Sequence, residues 1–405
     1  MALASEEQLR HTVRTNVILG ALLMVATLPG RTQGLGLVTE PLLAELGLER
    51  VKFANLNLWA SLLGALVCLP VGRLIDRVGL RPVSFVLLGG LALAVLGFSF
   101  HITGTAMFFF WLFLSRALGQ SGLSVAAIAS VAKLGQGKNG PALGIFSVIL
   151  SLLFVVGFVA VGASVVETGW RHAWREVGFV IGLVVLPLAV VFLKEPSRES
   201  RSHEFAEGGL GLREALKTPL FWIGSGAVAS FAFASSGLGL FNEAVLAEVG
   251  HDRSVYHLFL AVTTGFALLG QFLCGWLSAR NSLSLLLGWA LAAYAASLAL
   301  LVHASSSLVL WIVAGLMGLS AGFVTVLFFA IWGQAYGSRE LGRIQGVAQG
   351  ITVLASALGP VAFATVHDQL GRYALALYGL AIIAMIFAMA SFTLGRGHFR
   401  VRGNG

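Results

Sequence analysis

The chain has 405 residues, 57% of them hydrophobic and only 11% charged, with a mean hydropathy of +0.89 and a formal net charge of +8. That balance excludes a soluble globular domain, in which roughly a quarter of residues are charged. Two cysteines exclude a disulfide scaffold, and the scarcity of charge excludes a nucleic-acid-binding surface as the reason for the basic excess.

Twelve apolar runs of about 20 residues follow one another, each long enough to cross ~30 Å of hydrocarbon as a helix. Their expected bounds are 14–38, 53–71, 83–102, 105–131, 142–166, 173–193, 219–241, 255–277, 283–304, 306–333, 344–366 and 372–394. The alternating pattern of a membrane β-barrel is absent, so an all-α membrane protein is expected. The amino-terminal segment MALASEEQLRHTVR mixes both signs of charge, and no small-residue cleavage site follows it, so span 1 is expected to be retained.

Span 1 holds an anomaly, LPGRTQGLG at 28–36. Pro29 removes one backbone hydrogen bond and Gly30 loosens the next, the pattern of a helix interrupted beside a cavity. Arg31 follows them, with Thr32 and Gln33 adding donors and acceptors. Two readings stand: Arg31 faces a cavity, or it snorkels the ~10 Å to the outer interface near Val38. The Pro-Gly break favours the first.

Asn55, Asn57 and Trp59 in span 2 are weaker candidates for the site, for which interfacial anchoring is the favoured reading. Span 4 carries Arg116 close to the bilayer centre, where a charge costs about 2.5–3.5 kcal/mol on insertion scales, with Gln120 one turn further. No Asp or Glu lies well inside a helix of the first six spans. A cavity holding two arginines and no buried carboxylate is electropositive and suits a small organic or inorganic anion, whose oxygens match guanidinium forks.

Residues 194–217 form the longest polar interruption, so three parts are expected: a bundle at 1–193, a linker at 194–217 and a bundle at 218–405. In the second bundle Ser235, Ser236, Thr263, Thr264, Gln271, Gln345 and Gln349 are neutral polar groups; Ser235, Ser236, Gln271 and Gln349 are expected to contribute to substrate binding. His257 is a candidate for proton coupling, with a satisfied interfacial histidine as its alternative. No phosphate-binding G-x-x-x-x-G-K-[ST] run occurs, and no nucleophile, base and acid cluster at membrane depth. Neither an enzyme, a cofactor nor a metal is expected.

The halves repeat. Residues 32–48, TQGLGLVTEPLLAELGL, align without gaps to 235–251, SSGLGLFNEAVLAEVGH, with nine of seventeen positions identical. The same offset of 203 pairs Arg50 with Arg253, Gly72 with Gly275, Leu74 with Leu277 and Arg77 with Arg280. It also pairs Glu40 with Glu243, for which a shared structural role at the outer gate is expected and proton coupling is the weaker alternative. Arg31 has Ala234 as its counterpart, so it belongs to the first half alone. Parallel repeats of this kind build transporters with a midplane site between them.

Lys and Arg set the orientation. With the amino terminus inside, eighteen basic residues fall in inside segments and six outside; Arg31 and Arg116 lie within spans. Both termini are therefore expected on the cytoplasmic side, in the inner membrane of a prokaryote, where the inside charges meet anionic lipid.

The loop GRLIDRVGLRP after span 2 resembles the signature of the major facilitator superfamily, G-x-x-x-D-[R/K]-x-G-x-[R/K]-[R/K]. Gly72, Asp76, Arg77, Gly79 and Arg81 match it, and Pro82 replaces the last basic residue. In span 4, LFLSRALGQSG is similar to that family's L-x-x-x-R-x-x-Q-G-x-G through Leu112, Arg116 and Gly122, with Gly119-Gln120 inverted. The resemblance implies two six-helix bundles and secondary transport by alternating access. It implies gating by the signature loop and a role for Arg116 with protons or a substrate anion. In the second half Ala279 stands for Asp76 and Ser282 for Gly79, so the latch is expected to be asymmetric. The overall pattern is loosely similar to the oxalate/formate and monocarboxylate branches, without the basic residues those carry on helices 8 or 11. The expected partners are an anionic small molecule, protons or a counter-anion, and membrane lipids, with no nucleic acid. The alternatives are a neutral or cationic solute, as in drug or metabolite efflux, and a transport-inactive receptor.

Overall fold

A computed structural model of the chain describes residues 15–100, 102, 104–132, 140–194, 209–278, 280–337 and 340–395. Nearly all of them are helical, as the hydrocarbon demands: a spanning segment must satisfy its backbone polar groups internally. The chain divides into two compact units, Met1–His203 and Glu204–Gly405.

The first unit begins with α1 (Thr15–Val25), a single 3-10 turn (Leu28–Gly30), α2 (Thr32–Gly36) and α3 (Thr39–Leu46). It continues through α4 (Arg50–Ala65), α5 (Cys68–Arg77), α6 (Leu80–Ser99) and α7 (Gly104–Leu114). A π-helical segment (Ser115–Leu123) joins α7 to α8 (Ser124–Ala132), and α9 (Gly140–Thr168) follows. A second π segment (Ile181–Val185) separates α10 (Trp170–Val180) from α11 (Leu186–Phe192). Asn16 closes the unit by donating to the Lys194 carbonyl at 2.9 Å and accepting from the Lys194 amide at 3.0 Å.

The second unit is plainer: α12 (Leu212–Ala215), then the long helices α13 (Pro219–Glu248), α14 (Arg253–Ser278), α15 (Leu283–Leu301), α16 (Ser307–Tyr336), α17 (Leu341–Leu370) and α18 (Ala374–Gly395). Among the described residues eleven helical stretches are long and apolar enough to cross a membrane. The first span is the twelfth, cut short by its own break.

The repeat is visible in the backbone. Val38 kinks the chain at φ −120°, ψ 1°, and Phe241, 203 residues on, kinks α13 at φ −115°, ψ 16°. Spans 1 and 7, expected to stop at 38 and 241, instead run on as helix to Leu46 and Glu248. Hydropathy ends early there because the continuing legs carry Glu40, Glu45, Glu243 and Glu248. Each carboxylate is held: Glu40 by Arg50 at 2.5 Å, Glu243 by Arg253 at 2.6 Å, Glu45 by Trp170 Nε1 and Arg171 Nε at 2.6 Å, and Glu248 by the Tyr373 amide at 3.0 Å. Trp170 and Tyr373 are themselves 203 apart, so each bundle clasps the end of its first helix to its last connection, by an indole N–H in the first and a backbone amide in the second.

Most of the expected linker, 195–208, lies outside the described residues. Its end is ordered onto the second unit: the Leu210 amide donates to the Tyr336 carbonyl at 2.9 Å and the Leu212 amide to Glu340 Oε2 at 2.7 Å.

The signature loop is the turn between α5 and α6. Gly79 caps α6 at φ 114°, ψ 162°, a conformation essentially closed to residues with a Cβ. Its repeat partner Ser282 caps α15 conventionally, at φ −67°, with its hydroxyl accepting from the Leu285 amide. Arg81 donates from Nε and Nη2 to the Leu193 carbonyl at 2.9 and 2.6 Å, tying α6 to the end of α11. Arg77 is exposed and Gly72 half-buried; the side chain of Asp76, and Ala279 in the second loop, lie outside the described residues.

Candidate functional site: two guanidiniums in the first bundle

Span 1 breaks at Pro29. After the 3-10 turn, Arg31 is extended at φ −93°, ψ 154°, and the helix restarts at Thr32. The break frees the Gly30 carbonyl, which a continuous helix would have consumed. Gly30 is there because the backbone of span 4 presses on it: a Cβ at Gly30 would lie 2.2 Å from the Ser115 carbonyl oxygen and 3.0 Å from the Gln120 amide.

That contact falls on the π-helical stretch carrying Arg116. A π turn widens the helix by one residue and occurs most often at functional positions. Arg116 is 1% exposed. Its Nη1 donates to the Gly30 carbonyl at 3.1 Å, Thr32 Oγ1 at 3.1 Å and Gln120 Oε1 at 2.6 Å, and its Nη2 donates to Asn57 Oδ1. Its Nε is buried without a hydrogen-bond partner among the described residues. Every acceptor is neutral. The guanidinium therefore pins the broken span 1, α4 and the π segment together while no carboxylate among the described residues compensates its charge.

Arg31 is half-buried on a second set of neutral groups. Nε donates to Thr27 Oγ1 at 2.6 Å, and Nη2 to Ser124 Oγ at 3.1 Å and Met24 Sδ at 2.8 Å. The guanidinium lies 5.5 Å from the centre of the Phe154 ring, a cation–π contact. Nη1 has no hydrogen-bond partner among the described residues. The two guanidiniums repel each other electrostatically. No Asp or Glu among the described residues pairs with either.

Of the residues singled out in the sequence, the structure brings Thr32 and Gln120 onto Arg116 and leaves Gln33 half-buried. Ser235, Ser236, Gln271 and Gln349 belong to the second unit: Ser236 is buried, Ser235 and Gln271 are half-buried and Gln349 is exposed. Glu40 and Glu243 sit in the ion pairs already described, and His257 is 5% exposed in α14.

Asn57 corrects the reading of span 2. It is no interfacial anchor but a residue 1% exposed, aimed inward at Arg116; Trp59, 57% exposed, does face outward, and Asn55 merely donates to the Val51 carbonyl of its own helix. An amide two positions from an outward tryptophan is the signal for Asn57, since it must face away from lipid. Thr27, Ser124 and Phe154 carried no signal beyond their polarity or size. Among the described residues no group of three or more His, Cys, Asp or Glu could hold a metal ion.

The family model described as Major Facilitator Superfamily matches residues 19–244, more than half of the chain. The chain belongs to the major facilitator superfamily. It is accordingly an integral membrane transporter and not an enzyme. Two solved structures of a bacterial homolog of the human lysosomal transporter Spinster show the same superfamily fold. The inward-facing, unoccupied form has a TM-score of 0.65 at 18% identity over 95% of this chain and 94% of that one. The inward-facing, occupied form has a TM-score of 0.68 at 17% identity over 99% of both. No curated protein matches the sequence.

Proposed function

We propose that the chain moves a small organic or inorganic anion across the membrane by alternating access, with Arg31 as the contact for substrate and Arg116 as the cation that holds the site together. The observation that carries this reading is a buried and a half-buried guanidinium in one bundle, dressed only by neutral acceptors among the described residues. A buried charge without a counter-charge is costly, and an anionic solute supplies what is missing. Arg31 keeps a terminal nitrogen for a carboxylate oxygen; Arg116 spends its donors on Gly30, Thr32, Gln120 and Asn57, so it sets the shape of the break that presents Arg31. Gln33, half-buried two residues after Arg31, is the neutral group proposed to add a hydrogen bond.

In this account the second bundle contributes Ser235, Ser236, Gln271 and Gln349 as neutral polar groups, and the Gly72–Arg81 loop gates the cytoplasmic side. The 18 to 6 split of basic residues supports cytoplasmic termini in a prokaryotic inner membrane. Protons or a counter-anion drive the cycle.

The test is uptake by proteoliposomes of labelled small carboxylates and of lipophilic cations, for the wild type, Arg31→Gln and Arg116→Gln. Anion uptake lost in both variants supports the reading; cation uptake untouched by either supports a neutral or cationic solute instead. That second reading has one observation in its favour, the neutral and aromatic groups around Arg31. Ligand binding without counterflow would indicate a receptor that has kept the fold.

A further inference from the structure

The second bundle carries, at the turn between α13 and α14, a polar cluster that the first bundle lacks. Glu243–Arg253 at 2.6 Å and Glu40–Arg50 at 2.5 Å are the same ion pair at repeat-related positions. Around the first pair the fold places Thr39, Phe53 and Ala54, each 0% exposed. At the equivalent positions the second bundle has Asn242, Tyr256 and His257, which are 4%, 1% and 5% exposed.

Arg253, Tyr256 and His257 are three and four residues apart, so they share one face of α14, and Arg253 reaches from that face to Glu243 of α13. The Tyr256 hydroxyl lies within electrostatic reach of the Glu243 carboxylate. That hydroxyl and Asn242 Oδ1 are both buried without a hydrogen-bond partner among the described residues. Unpaired buried polar groups lower stability. The first bundle shows that the same ion pair packs with threonine, phenylalanine and alanine, so the fold does not require them.

We infer that this cluster is a proton-binding site of the second bundle, with the His257 imidazole as acceptor and the Glu243 carboxylate as counter-charge. A proton from water at the α13–α14 turn adds to a ring nitrogen, which gains an N–H bond. The imidazolium charge is balanced by Glu243, shared with Arg253. The Tyr256 hydroxyl and Asn242 Oδ1 supply the hydrogen-bonding capacity that a proton on its way through an apolar wall needs.

Helix α16, against which α14 packs most closely, carries no Asp, Glu, His, Lys or Arg, and the titratable or charged groups on the other neighbouring elements are these. Glu248 accepts from the Tyr373 amide, with His367 of α17 at 3.6 Å; His251 meets the Ala304 carbonyl at 2.6 Å; and His303 of α15 meets Tyr378 of α18 at 2.8 Å. Asp252 accepts from Ser254 and the Val255 amide, which hold its carboxyl below the usual range, and Arg372 sits at the start of α18 beside the cavity that Glu248 lines. An imidazole is the group whose ordinary titration falls between pH 5 and 8.

The experiment reads the protein alone and is independent of which solute is carried. Purified full-length protein labelled with 15N-histidine is titrated from about pH 5 to 8 by NMR, His257→Gln assigning the signal. The signal should pass from neutral imidazole to imidazolium within that range. Its midpoint should fall by about one pH unit in Glu243→Gln and stay in place in Glu40→Gln, the repeat-related control. Should Glu243→Gln fail to fold, Tyr256→Phe, which installs the residue found at Phe53, replaces it and should shift the midpoint measurably. A His257 signal that stays neutral throughout, or a midpoint identical in wild type and in whichever variant folds, overturns the inference.

Discussion

Asn57 is the side chain whose removal most directly probes how the buried charge is held. In Asn57→Leu the branching and heavy-atom count are kept, but Arg116 Nη2 loses its acceptor in a site where Nε already has none among the described residues. A hydrogen bond to a charged group contributes about 1.5–3 kcal/mol, and at 1% exposure no water replaces it. For a bundle of about 200 residues, a loss of ~2 kcal/mol lowers the melting temperature by roughly 4–8 °C. Thermal unfolding in detergent, followed by circular dichroism, measures it. The double variant with Arg116→Leu then separates the bond from the packing: removing both partners should cost less than the sum, by a coupling of about 1–3 kcal/mol. If Asn57→Leu melts within a degree of wild type, or if the two substitutions simply add, Asn57 does not hold the guanidinium and the account of Arg116 fails.

Gly30→Ala places a methyl group 2.2 Å from the Ser115 carbonyl oxygen, so the break and the π segment must separate. A cost of about 1–3 kcal/mol and a loss of transport with the protein still folded are expected. Gly79→Ala should destabilise by a similar ~1–3 kcal/mol because φ is 114° there, whereas Ser282→Ala at the repeat-related position should cost only about 1 kcal/mol, the value of an N-cap. Equal losses at Gly79 and Ser282 would show that the two caps are not the different devices described.

The membrane class, the spans and the repeat were legible because each rests on long apolar runs or on identities at a fixed offset. Arg31 and Arg116 stood out for the same reason, as charges where hydrocarbon excludes them. The legs beyond Val38 and Phe241 were hidden because hydropathy counts Glu40 and Glu243 as solvent-facing, and it has no access to the arginines ten residues on that neutralise them. The π stretch was invisible because one extra residue per turn leaves no mark on composition. Asn57 was misread because a polar residue near a span's end is as compatible with the interface as with a buried cation. Only the contact with Arg116 decides, and that contact joins residues 59 apart in the chain.

The central claim is that the uncompensated guanidiniums of the first bundle receive an anion. Counterflow of a labelled small carboxylate in proteoliposomes, compared between wild type and Arg31→Gln, tests it most directly. The account predicts robust counterflow in the wild type and a loss of at least about tenfold in Arg31→Gln, the equivalent of ~1.4 kcal/mol of binding. Counterflow of the carboxylate that is undiminished in Arg31→Gln would contradict it.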